Sequence, residues 1–74
     1  MKKNTIKCWR TEAKSILSAQ LKRKDVSHGE LVELLAEIGI TETRASVANK
    51  LSRGSFSAAF FLQVLEVLGV RIGL

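Results

Sequence analysis

From Ile6 to Leu21 the apolar residues Ile6, Trp9, Ala13, Ile16, Leu17 and Leu21 return at steps of three and four. That is the period of an amphipathic helix, and it predicts a first helix over about residues 4–23. A second helix is predicted over 27–38: Ser27 stands as N-cap with Glu30 three residues on, Val26 and Leu31 form a hydrophobic staple, and Leu31, Leu34, Leu35 and Ile38 line one face before Gly39. The third, 43–53, has Thr41 or Thr43 available to cap it, and only a narrow apolar stripe of Val47, Ala48 and Leu51 ahead of Gly54. A fourth, 57–69, starts at Ser57 with Phe56 and Phe61 placed as a staple, and carries Leu62, Leu65 and Leu68 inward. The tail Val70-Arg71-Ile72-Gly73-Leu74 alternates weakly, as a short strand does.

These four segments predict a compact all-α four-helix bundle, one domain over residues 1–74, with Trp9, Leu17, Leu31, Leu35, Leu51, Phe61, Leu65 and Leu68 at its core. No proline, repeat or low-complexity run interrupts it. Once Leu62, Leu65 and Leu68 are assigned inward, Phe60, Val64 and Val67 remain as a second stripe on the fourth helix. A core this small stabilises a chain only marginally, and an exposed apolar patch usually marks an interface. The expectation is a homodimer centred on Phe60, Val64 and Val67, with Ile72 and Leu74 adding to it.

Charge narrows the partner. Twelve Lys and Arg against seven Asp and Glu give +5, with eight of the cations in the first 24 residues beside the single acid Glu12. The third helix leaves Arg44, Ser46, Asn49, Lys50 and Arg53 outward, with no acid between Thr43 and Ser55. A basic surface of this kind favours a polyanion. The one cysteine, Cys8, and the one histidine, His28, supply no disulfide and no metal cluster. No paired carboxylates, nucleophile–base arrangement or phosphate loop points to an enzyme, and no cofactor is expected. The longest uncharged stretch, Gly54 to Leu65, is far short of the ~20 residues that span a bilayer, so the expectation is a soluble, cytoplasmic protein without a membrane partner.

Asn49-Lys50-Leu51-Ser52-Arg53-Gly54, followed by an apolar helix ending Leu68-Gly69-Val70, resembles the DNA-reading half of Cro and phage-repressor helix-turn-helix domains. With Val26-Ser27-His28-Gly29-Glu30-Leu31 the resemblance covers about Ile16 to Val70. Trp9, the long second helix and the run from Ser52 to Phe60 look like a bacterial family of small helix-turn-helix domains with no assigned activity. The resemblance implies double-stranded DNA as partner and transcription regulation as role. It places Ser46, Asn49 and Lys50 on base edges, where Lys donates to guanine, Asn pairs with adenine and Ser reads either. It assigns Ser27 and His28 at a helix start and Arg53 and Ser55 after the third helix to the phosphate backbone, and Arg44 is expected to join them there. Two-fold pairing would set two reading helices ~34 Å apart on one duplex.

The chain departs from that pattern between the second and third helices, where Ala36 to Thr43 is several residues longer than the usual turn and carries Glu37 and Glu42. The alternative function is a protein-interaction module, antitoxin- or adaptor-like, that uses the Phe60, Val64 and Val67 face.

Overall fold

The computed structural model describes residues 8–71 and holds four helices: α1 (Trp9–Lys24), α2 (His28–Glu37), α3 (Arg44–Arg53) and α4 (Ala58–Val67). Among these residues there is no strand, and the protein is an all-α bundle. Residues 4–7, expected to open the first helix, and Ile72 and Leu74 of the expected strand-like tail lie outside the described residues.

Short polar side chains start three of the helices. Ser27 Oγ accepts the Glu30 amide at 3.1 Å while Glu30 Oε1 accepts the Ser27 amide at 2.8 Å, the reciprocal capping box expected there. Thr43, rather than Thr41, caps α3 by accepting the Ser46 amide at 3.0 Å, and Ser57 caps α4 by accepting the Phe60 amide at 3.0 Å. Phe56 stacks on Phe61 with ring centroids 6.3 Å apart, completing the staple at the start of α4.

Three helices end in the same paired closure. Val26 donates to the Leu21 carbonyl and Asp25 to Lys22; Ile40 donates to Leu35 and Gly39 to Ala36; Val70 donates to Leu65 and Gly69 to Glu66. Each closure folds an apolar residue, Val26, Ile40 or Val70, back onto the core. Ile40 therefore anchors the long connection between α2 and α3, which leaves only Thr41 and Glu42 between that anchor and the Thr43 cap.

Both α1 and α2 pack against both α3 and α4. The core is Leu17 and Leu21 of α1, Leu31 and Leu35 of α2, Val47 and Leu51 of α3, and Phe60, Val64, Leu65 and Leu68 at α4. This corrects the sequence reading at several places. Phe60 and Val64 are 3% and 0% exposed, and Val67 is partly buried against the same core, so the stripe assigned to a dimer interface is filled within one chain. The reason is that α4 is enclosed by α1 and α2 rather than peripheral, so two of its faces find partners. Its buried face is rotated accordingly: Phe61 is only partly buried and Leu62 is exposed. Trp9, expected in the core, is 73% exposed. The inward line of α1 runs through Ala13, Leu17 and Leu21, and Trp9 lies before the point where α1 meets the end of α3.

That meeting point is close. Gly54 ends α3 in the left-handed region, φ +69°, and donates to the Lys50 carbonyl at 2.9 Å. A Cβ there would lie 2.5 Å from the carbonyl oxygen of Arg10. One turn along, Lys14 Nζ donates to the Ser52 carbonyl at 2.9 Å. Gly39 has φ +84° but nothing within 4 Å of its Cβ position, so it separates strain from collision. Gly39→Ala is expected to cost ~1–2 kcal/mol through backbone strain alone. Gly54→Ala adds a clash with backbone that cannot move freely, worth ~1–3 kcal/mol more. Equal shifts in urea midpoint for the two variants would contradict this packing.

Candidate nucleic-acid interface

Because Val47 and Leu51 face the core, α3 turns Arg44, Ala45, Asn49, Ser52 and Arg53 to solvent. Asn49 and Arg53 are one turn apart on this face, and Arg44 stands at the start of α3, turned toward α2. Asn49, Lys50, Arg53 and Ser55 line a shallow recess at the C-terminal end of the helix.

At the other end the two consecutive helices α2 and α3 converge. The Arg44 guanidinium lies across the first turn of α2, with Nε 3.7 Å and Cζ 3.8 Å from where a Gly29 Cβ would stand. Ser27, His28 and Arg44, with Ser18, Leu21 and Val26 behind them, surround a second recess. Amides in the first turn of a helix have no acceptor within it. The capping box occupies those of Ser27 and Glu30, which leaves the His28 and Gly29 amides facing outward beside the Arg44 charge. Helix-start amides beside a cation can receive an anion.

The structure treats Ser46 and Lys50 differently from Asn49. Ser46 Oγ donates to Glu42 Oε1 at 2.9 Å, and Lys50 Nζ donates to Glu42 Oε2 at 2.7 Å. The Lys50 ammonium also lies over the Phe60 ring, 4.6 Å from its centroid. The Glu42 side chain is only 11% exposed and that of Lys50 32%. Burial, the largest single influence on Glu42, pushes its carboxyl up; the hydrogen bonds from Lys50 and Ser46 and the Lys50 charge together outweigh it and hold the group below the usual glutamate value. Two of the three residues expected on base edges are thus occupied by Glu42. Ser46 and Lys50 stand one turn apart on α3, as their spacing implies, but Glu42 precedes the Thr43 cap, so its contact with them depends on the path of the connection.

Ser27, His28 and Arg44 are brought together, and Asn49, Arg53 and Ser55 form a second group at the far end of α3. Among the described residues no set of three His, Cys, Asp or Glu side chains is placed to hold a metal ion, and no helix is long and apolar enough to cross a membrane.

A family model described as a domain of unknown function (DUF6471) matches residues 9–72, and the chain belongs to that family. No curated protein and no solved structure matches it.

The lowered Glu42 carboxyl has a definite pH signature. A group whose folded pKa is depressed contributes stability that is present above its unfolded value and disappears as pH falls through the folded one. Wild type is expected to exceed Glu42→Gln in stability at pH 7, with the difference closing below the ordinary glutamate range. Urea unfolding of both proteins across pH 7 to 3 measures it, and a difference independent of pH would contradict the ion pair.

Proposed function

We propose that the protein binds duplex DNA through α3 as a small, sequence-selective regulator of transcription. The observation that carries the proposal is the convergence of Arg44 with the amides at the start of α2, at the opposite end of α3 from the recess that Asn49 and Arg53 line. Roughly 14 Å of helix rise separates Arg44 from Arg53, comparable with the ~12 Å width of the major groove. Cations at the two ends of α3 can therefore meet phosphates on either side of a groove while the middle of the helix faces base edges. Phosphate contacts fix register and base contacts carry sequence.

In this reading Arg44, His28 and Ser27 hold one backbone and Arg53 and Ser55 the other. Asn49 is the base-reading residue, since it is exposed between them and its amide can pair with adenine. Lys50 and Ser46 take a lesser part because Glu42 engages both. The expected two-fold pairing through α4 loses its apolar surface to the core, so the proposal rests on the surface of one chain. The protein-interaction alternative loses the same Phe60 and Val64 face.

A gel shift against pooled random duplexes, read at low and at physiological salt, tests the proposal. Binding is expected to weaken steeply with salt as neutralised phosphates release counterions. Arg53→Ala should weaken all sequences alike and flatten the salt slope by about one. Asn49→Ala should cost ~1–3 kcal/mol on the selected site and blur its preference. Absence of duplex binding at low salt would refute the proposal.

A further inference from the structure

We infer that Glu42 is a selectivity-determining positioning residue, which withholds the Lys50 ammonium from anionic ligands and so limits sequence-blind binding by α3. The inference rests on the duplex-DNA reading for its consequence on selectivity, although the withholding itself can be measured with any polyanion.

The geometry assigns Lys50 two partners from two different elements. Glu42, in the connection before α3, accepts its ammonium at 2.7 Å, and the Phe60 ring of α4 lies 4.6 Å beneath it. Phe60 is in the core and cannot turn away. The Glu42 carboxylate is held in addition by the Ser46 hydroxyl, and its residue directly precedes the Thr43 cap, so the acceptor as well as the donor is fixed. Lys50 shares a recess with Asn49, Arg53 and Ser55, the exposed end of the reading surface. A mobile lysine at that point would add a phosphate contact of the kind that is made to every sequence.

Glu42 acts on such binding in two ways. It neutralises a cation of α3 that shares a recess with Asn49 and Arg53, and it adds negative potential on the side from which a misplaced backbone would approach. Both effects fall hardest on complexes in which α3 lies against phosphates rather than base edges. The extra length between α2 and α3 acquires a use: Ile40 ties it to the core, and Glu42 projects along α3 from the two residues that remain before the cap.

The test compares wild type, Glu42→Gln, Lys50→Met and the double variant by affinity for pooled random duplex and for the selected site across a salt series, and by the salt needed to elute each from heparin. Glu42→Gln is expected to bind random duplex roughly threefold to tenfold more tightly at low salt, with a slope steeper by about 0.9, and to tighten less on the selected site. Lys50→Met should weaken wild type less than it weakens Glu42→Gln, which it should return to the wild-type level. Equal losses from Lys50→Met in both backgrounds would overturn the inference, because the ammonium would then be as available with Glu42 as without it. If none of the four binds duplex, the DNA reading fails, and heparin elution decides the withholding by the same non-additivity. If Glu42→Gln does not fold, Lys50→Met alone decides: an unchanged slope supports the inference, and a slope flatter by about 0.9 overturns it.

Discussion

The outward chemistry of α3 depends on how firmly its inward side is held. Val47 and Leu51 give it a narrow apolar stripe, too little on its own to orient a ten-residue helix. The C-terminal end is fixed instead by the approach of α1, where the absent side chain of Gly54 lets the Arg10 backbone come into contact and Lys14 ties itself to the Ser52 carbonyl. The N-terminal end is fixed by Thr43, by Ile40 in the core two residues before Glu42, and by Arg44 lying over Gly29. With both ends held, the α3 backbone presents Arg44, Asn49 and Arg53 as an array of defined positions. Rigidity lowers the ordering entropy that any ligand must overcome.

Electrostatics then divides that array. Arg44, Asn49 and Arg53 remain exposed, while Lys50 and Ser46 are engaged by Glu42. An ion pair on an open surface is worth little, but this one is mostly shielded and shares its ammonium with an aromatic ring, so it competes effectively with solvent. Net positive charge alone therefore overstates what α3 offers a polyanion. Position decides which cations are available.

Much of the fold was legible because local signals agreed. The capping box at Ser27, the Ser57 cap and the closing glycines each matched the hydrophobic period beside them; α2, α3 and α4 lie within the expected spans, and α1 runs one residue past its own, to Lys24. Which face of α4 is buried was not legible. Phe60, Phe61, Val64, Leu65, Val67 and Leu68 form an almost continuous apolar surface, and periodicity cannot orient a helix that is apolar on several sides. Only the enclosure of α4 by α1 and α2 selects Phe60 and Val64. Trp9 shows the same limit of periodicity: it continues the apolar pattern of α1, yet it is 73% exposed, and the inward line begins at Ala13. In the candidate site, Arg44, Asn49 and Arg53 followed from helical spacing, whereas the Glu42 contact depended on the path of the connection into α3 and on a Phe60 ring arriving from a distant part of the chain.

The central claim is that one face of α3, together with the start of α2, meets duplex DNA. Titration of the ¹⁵N-labelled protein with a short duplex, followed amide by amide, addresses it most directly. The account predicts that shifted resonances concentrate at residues 27–29 and 44–55 while the core amides of α1 and α4 stay in place. Perturbations centred on the outer faces of α1 or α4, with residues 44–55 unaffected, would contradict it.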